Sequence, residues 1–64
     1  MKKIIYEDDN WIIEKLKTED DEYVIISYFR NNHFIEDIRI SSKLMNSDEA
    51  IELIKEIILK EEIK

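Results

Sequence analysis

Residues 23–40 constrain the fold more than any other part of the chain, because they read as two strands joined by a tight turn. Their sequence, YVIISYFRNNHFIEDIRI, is rich in the aromatic and β-branched residues that favour strands. Asn31 and Asn32 divide the stretch, and a two-residue Asn-Asn loop suits a type I′ turn. We therefore predict a β-hairpin with strands over 23–30 and 33–40.

This turn sets a register in which Arg30 faces His33 and Phe29 faces Phe34, continuing until Tyr23 faces Ile40. Side chains alternate across a strand, so the hairpin has two distinct faces. The more apolar face, which we expect to meet the core, carries Tyr23, Ile25, Ser27, Phe29, Phe34, Glu36, Ile38 and Ile40. The other face carries Val24, Ile26, Tyr28, Ile35, Asp37 and Arg39.

The rest of the chain predicts two further strands and a helix. Strands are expected over 2–7 and 11–17, with Asn10 as a left-handed turn residue and an acidic loop over 19–22. A three-residue loop would place Trp11 and Ile13 on the core face, and a four-residue loop would place Ile12 and Leu16 there.

The helix is expected to begin near Asn46, capped by Asn46 with Glu49 or by Ser47 alone. Its apolar residues fall on one wide arc at helical spacing: Ala50, Ile51, Leu53, Ile54, Ile57 and Ile58. The predicted fold is α+β, an antiparallel meander of three or four strands with one C-terminal helix across one face (ββββα). Residues 1–64 make a single domain, since 64 residues leave no room for a second.

A chain this short buries only about 60% of the surface that its unfolded form exposes, so its core is marginal without a partner. Because one helix covers one face, the second face of the hairpin is left with a contiguous apolar patch. Leu59 and Ile63 form a further apolar stripe, away from the rest of the arc. We therefore expect a homodimer or partner interface at Val24, Ile26, Tyr28, Ile35, Leu59 and Ile63.

Nothing in the sequence predicts catalysis, a cofactor or a metal site. There is no Cys, and the one His, His33, lies beside the turn with Asp37 about 13 Å along the strand, too far for a direct pair. The acidic stretches 8–10 and 19–22 lack the spacing and the Gly of a calcium loop. We expect solvated turns there and a protein that is not an enzyme.

A net charge of −6 makes nucleic acid an unfavourable ligand, because phosphate binding calls for a basic surface. No apolar run approaches the roughly 20 residues that span a bilayer. Ile4-Ile5-Tyr6 is followed at once by Glu7 and Asp8, so no signal sequence is expected and a cytoplasmic location is predicted.

The fourth strand leads through Arg39-Ile40-Ser41 to Leu44, and the helix begins with Ser47-Asp48-Glu49-Ala50-Ile51. Together with the order of four strands and a helix, these residues resemble the positive-cofactor single-stranded-DNA-binding family. The likeness covers about the last 40 residues. It implies a dimer and a single-stranded nucleic-acid-binding module as the alternative function.

In size, acidity and lack of Gly, Pro and Cys, the chain is also similar to small phage accessory proteins of low-GC bacteria, among them the anti-defence inhibitor of the Hachiman system. That likeness implies a non-catalytic protein-interaction module, a phage-type inhibitor that acts as a homodimer and occludes a host defence protein. Its location would then be the host cell cytoplasm.

Overall fold

In the computed structural model, which describes residues 1–62, four strands precede one helix. The elements are β1 (Lys2–Glu7), β2 (Trp11–Lys17), β3 (Glu22–Arg30), β4 (His33–Ser41) and α1 (Ser47–Glu62). The strands form one antiparallel sheet in the order β1-β2-β3-β4, so each connection between them is a hairpin. The predicted ββββα fold is confirmed, with four strands rather than three.

The β3–β4 turn has the type I′ backbone that its Asn-Asn sequence predicts. Asn31 and Asn32 have φ angles of 52° and 67°, the left-handed values that a type I′ turn requires. The prediction of a left-handed backbone at Asn10 is wrong, because Asn31 and Asn32 are the only residues with positive φ among residues 1–62. The β1–β2 turn is held instead by Asp8, whose Oδ1 accepts hydrogen bonds from the backbone N–H groups of Asn10 (2.8 Å) and Trp11 (2.7 Å).

The register of the β3–β4 hairpin slips by one residue soon after the turn. Phe29 pairs with Phe34 as predicted, but Tyr28 then pairs with Glu36, which leaves Ile35 without a cross-strand partner. Two residues opposite one is the definition of a β-bulge. The predicted register is therefore wrong beyond the first two pairs.

This bulge decides which face of the sheet becomes the core. It brings Ile38 opposite Ile26 and Ile40 opposite Val24, so that one face is aliphatic along both strands. It also moves Asp37 opposite Ser27, on the other face. The helix packs on the aliphatic face, which is the reverse of the predicted assignment.

The buried core joins this face to the helix. Its members are Ile13, Val24, Ile26, Ala50, Ile51 and Ile58, with Ile5, Tyr6, Trp11, Ile40 and Ile54 packed around them. The β2–β3 loop spans residues 18–21, the four-residue alternative, which places Ile12 and Leu16 on the Tyr23 face. Because the Tyr23 face is the one away from the helix, Trp11 and Ile13 lie towards the core.

The helix is capped as the sequence indicated. Asn46 Oδ1 accepts hydrogen bonds from the backbone N–H groups of Asp48 (2.9 Å) and Glu49 (3.4 Å). Of the predicted apolar arc, Leu53 and Ile57 remain about half exposed on one flank.

Candidate functional site

One face of the sheet has no layer of protein over it among the described residues. We call it the open face, and cross-strand pairing places these apolar residues on it: Ile4, Ile12, Leu16, Tyr23, Ile25, Phe29 and Phe34. In a sheet with one face turned to solvent, the residues that point to that face are ordinarily polar. The open face is therefore the feature of this fold that most needs an explanation.

Exposure on the open face increases from the centre to the two edges. Ile25, on the central strand β3, is only 4% exposed because its neighbours on the face crowd around it. Ile4 on β1 is 54% exposed and Phe34 on β4 is 57% exposed. Phe29 and Phe34 meet edge to face with ring centroids 5.7 Å apart, a favourable aromatic arrangement. The face thus has a filled centre with accessible apolar side chains at both sides.

Polar groups interrupt the open face at a few positions. Lys2 Nζ lies 3.4 Å from Glu14 Oε2 across the β1–β2 pair. Asp37 pairs with Ser27, and Arg39 pairs with Ile25. Glu7, opposite Ile12, adds a third carboxylate, so the acidic side chains on this face outnumber the basic ones.

A shallow hollow lies at the turn end of the open face. Its volume is about 530 Å³, and its lining consists of Glu7, Asp8, Asp9, Ile12, Phe29 and Asn32. The Asp8 carboxylate is already engaged, since its Oδ2 accepts the Tyr6 hydroxyl at 2.5 Å. The hollow thus combines an apolar floor from Ile12 and Phe29 with carboxylates along its rim.

A second hollow, of about 290 Å³, lies on the helix side of the sheet and is lined by Trp11, Ile26, Tyr28, Glu36 and Ile38. The Trp11 and Tyr28 rings lie 4.7 Å apart at 47°. The guanidinium carbon of Arg30 sits 5.9 Å from the centroid of the Tyr28 ring, within the range of a cation–π contact. Trp11 and Arg30 thus both contact the Tyr28 ring.

At the opposite end of the sheet, Asp21 ties the β2–β3 loop to the end of β4. Its carboxylate accepts hydrogen bonds from the hydroxyls of Ser41 and Ser42 and from the backbone N–H of Glu22 at 2.7 Å. The Ser41 and Ser42 hydroxyls are the main reason why the pKa of Asp21 falls from 3.8 to about 2. This cluster anchors the chain where it leaves the sheet for the helix.

The beginning of the helix is held over the sheet by charged groups. Lys15 Nζ lies 3.4 Å from Glu22 Oε1 and 3.6 Å from Asp48 Oδ1. The pKa of Glu22 is lowered, first by the neighbouring Ser47 hydroxyl and then by the charge of Lys15. The Ser47 Oγ is buried and has no hydrogen bond of good geometry within residues 1–62, so its contact with Glu22 is a loose one.

The predicted interface residues are scattered over the fold. Val24 and Ile26 are buried beneath the helix, and Tyr28 is half-buried beside Trp11, so these positions do not form a free face. Ile35 is exposed at the bulge, and Leu59 is exposed on the helix. Ile63 lies outside the described residues.

Continuing the hairpin register without a bulge places Tyr23, Ile25, Phe29 and Phe34 in the expected core, whereas all four lie on the open face. One signal pointed to the slip: that register placed Ser27 opposite Glu36 within the supposed core. Moving β4 by one residue separates this pair: Ser27 lies on the open face, and Glu36 lies exposed on the helix side, where Ile38 and Ile40 now face Ile26 and Val24.

Other kinds of site have little to build on in the part of the chain that the structure describes. His33 is exposed beside the turn, opposite Arg30. No group of three or more His, Asp or Glu side chains within residues 1–62 is arranged to hold a metal ion. Within the same residues, α1 is neither long enough nor apolar enough to cross a bilayer.

Comparisons with protein-family models, with curated proteins and with solved structures found no match to this chain.

Proposed function

We propose that this chain is a non-catalytic protein-interaction module that binds a partner protein through the open face. The observation that carries the proposal is the apolar character of that face from Ile4 at one edge to Phe34 at the other. Contiguous apolar surface of this kind is typical of protein–protein contact sites. Aromatic side chains such as Tyr23, Phe29 and Phe34 are also the residue types enriched in the centres of interfaces.

The shape of the open face suits a protein partner. It extends over all four strands, from Ile4 on β1 to Phe34 on β4. A broad sheet face of this kind matches another protein surface better than it matches a small molecule, which binds in an enclosed cavity.

Charge indicates the chemistry of the partner. The chain carries a net charge of −6, and Glu7, Asp8 and Asp9 line the rim of the apolar hollow around Phe29. The complementary surface presents an apolar side chain flanked by Lys or Arg. Single-stranded nucleic acid, the alternative, would meet Glu7, Glu14 and Asp37 across this same face and is disfavoured by repulsion.

The mechanism that follows is occlusion: the module covers a basic, apolar-centred surface of its partner and keeps other molecules away from it. In its most specific form this is a phage-type inhibitor of a host defence protein. The compositional likeness to small phage proteins supports the phage-type inhibitor. The open face supports the broader proposal of a module that covers a partner protein.

Matched substitutions test the proposal. The immobilised chain is used to capture proteins from a bacterial lysate, and the binding of each captured protein is then measured with purified components. Ile4→Glu and Phe34→Glu place a charge at either edge of the open face, whereas Leu59→Glu does so at a helix residue that is 55% exposed. We expect the first two to weaken binding at least tenfold and the third to leave it unchanged, since only the open face is covered.

Retained binding by both open-face variants would contradict the proposal. So would loss of binding with Leu59→Glu alone, because that result assigns the contact to the helix. Circular dichroism of each variant checks that the fold is intact.

A further inference from the structure

The outer edge of β4 is a second surface that the fold leaves unpaired. The sheet ends at this strand in the described residues, and β4 is exposed from His33 to Arg39. An exposed edge of this length offers a row of backbone N–H and C=O groups to another strand. The edge offers backbone groups in the plane of the sheet, whereas the open face offers side chains above that plane, so what binds the edge is a separate question from the function proposed above.

Two backbone hydrogen bonds establish which residues of β4 point outwards. Ser42 N–H donates to Glu22 O, and Phe29 N–H donates to Asn10 O in the β1–β2 turn. Backbone groups alternate in direction along a strand, so Ile26 and its even-numbered neighbours on β3 bond to β4. The backbone N–H and C=O groups of Ile38, which pairs with Ile26, therefore point inwards to β3. Those of Asp37 and Arg39 point outwards to the free edge.

We infer that the outer edge of β4 pairs with β4 of a second copy of this chain, antiparallel and centred on Ile38. Asp37 of one protomer then lies opposite Arg39 of its partner, and symmetry repeats the pair on the other side of the axis. Both the backbone groups and the opposite charges of these two residues are satisfied in that arrangement. Such a pair of identical surfaces is the isologous contact of a two-fold dimer.

Charge complementarity selects this register over its neighbours. A two-fold axis normal to the sheet pairs side chains of the same face, so the axis must pass between two copies of one residue. The alternative registers are therefore centred on successive residues of β4. Centring on Asp37 places two aspartates opposite each other, and centring on Arg39 does the same with two arginines. Like charges directly opposite are destabilising, whereas the Ile38-centred register pairs opposite charges twice.

The helix adds apolar area beside the same edge. Asp48 contacts Lys15 on β2, which shows which side of the helix faces β2. At 100° per residue, Leu53 and Ile57 lie about 140° and about 180° around the helix from Asp48, on its opposite flank. Both are about half exposed, as is Ile38 on the strand. In the dimer these residues of the two protomers line one seam above the joined strands.

The dimer also extends the surface for a partner. Because the axis is normal to the sheet, the two open faces lie on the same side of one continuous eight-stranded sheet. The open face available to a partner is thereby doubled in size without any change within the protomer.

Charge reversal with rescue tests the inference. Asp37→Arg and Arg39→Asp each create like-charge pairs across the axis, so each is expected to weaken self-association roughly tenfold. An equimolar mixture of the two variants restores both opposite-charge pairs in a heterodimer, as does the double variant with itself. Glu52→Arg on the exposed outer side of the helix is the control for net charge. Association is measured by sedimentation velocity from about 1 to about 300 µM.

Hydrogen exchange on the unsubstituted chain gives an independent reading. In the dimer, the Asp37 and Arg39 amides are expected to slow as the concentration rises, while the Ile38 amide, already bonded to β3, changes little. An unsubstituted chain that stays monomeric throughout this range overturns the inference. So does a dimer that neither variant weakens, or one in which those two amides exchange at an unchanged rate. None of these results bears on binding by Ile4 and Phe34, so failure here leaves the proposed function to its own test.

Discussion

Asn31 and Asn32 turn the chain between β3 and β4 without a glycine, and they do so at φ values of 52° and 67°. Asn tolerates this region better than other non-glycine residues because its short side chain can hydrogen-bond locally. At the other end of the sheet, Asp21 holds Ser41 and Ser42 through its carboxylate. In a chain with no Gly, Pro or Cys, single polar side chains of this kind fix the loops.

The second turn residue offers a test of backbone strain. Replacing Asn32 with Ala is expected to destabilise the fold by about 1 kcal/mol. The Cβ of Ala is disfavoured at positive φ, and Ala lacks the polar side chain with which Asn can hydrogen-bond locally. Asn32→Gly has no such penalty and is expected to be at least as stable as the parent, since Asn-Gly is the preferred type I′ pair. Urea unfolding of the three proteins measures the difference, and equal stabilities for Ala and Gly would contradict the turn assignment.

Acid unfolding tests the contacts of Asp21. Its pKa is lowered to about 2 from 3.8, so its ionised form stabilises the fold above that ordinary value. This contribution is lost as the pH falls from about 4 towards about 2, where the carboxylate becomes protonated in the folded state. Asp21→Asn lacks the titration and is expected to lose less stability over that window. Parallel acid-unfolding curves for the two proteins would contradict the assigned contacts.

At the scale of elements, the arrangement depends on two details of β4 and α1. The bulge at Ile35 turns Ile38 and Ile40 towards the core, and the helix then buries Ala50, Ile51 and Ile58 against Val24 and Ile26. Aliphatic β-branched side chains fill such a sheet–helix layer well. The helix cannot also cover Tyr23 and Phe29, and this leaves the open face.

The helix itself provides a matched pair of substitutions at adjacent positions. Ile58 is 2% exposed and Leu59 is 55% exposed. Ile58→Ala removes buried volume and is expected to cost about 2–4 kcal/mol, whereas Leu59→Ala is expected to stay within about 0.5 kcal/mol. Equal costs, measured by urea unfolding, would mean that the helix faces the sheet through a different side.

Local patterns were sufficient to predict the four strands, the Asn31–Asn32 turn and the Asn46 cap, because each depends on a few neighbouring residues. The face that the helix covers could not be obtained in this way, since it depends on a one-residue slip between β3 and β4. The choice among registers is made by packing against the helix, a tertiary effect. Hence Val24 and Ile26 were expected at an interface and lie in the core, while Tyr23 and Phe29 were expected in the core and lie on the open face.

At the scale of the whole molecule, the small core explains why association is expected. Six buried apolar side chains form the main cluster in the described residues, and a domain of this length is marginal on its own. Binding that occurs only in the folded state adds to stability by mass action. The edge of β4 and the open face are two places where such binding is available without rearranging the protomer.

Thermal unfolding reports this linkage. Raising the concentration of the unsubstituted chain from about 10 to about 200 µM is expected to raise Tm by a few degrees, because dimers are favoured over unfolded monomers. Asp37→Arg is expected to abolish most of that shift while leaving Tm at low concentration unchanged. The same Tm for the unsubstituted chain at both concentrations would contradict a stabilising dimer.

The helix covers the Val24 face of the sheet and leaves the Tyr23 face open, and the proposed function depends on this arrangement. Nuclear Overhauser contacts between side-chain methyl groups test it most directly, in dilute protein with labelled Ile, Leu and Val. We expect contacts from the helix methyls of Ile51 and Ile58 to Val24 and Ile26, and none from these methyls to Leu16 or Ile25. Contacts from the helix to Leu16 and Ile25, with Val24 free of them, would contradict it.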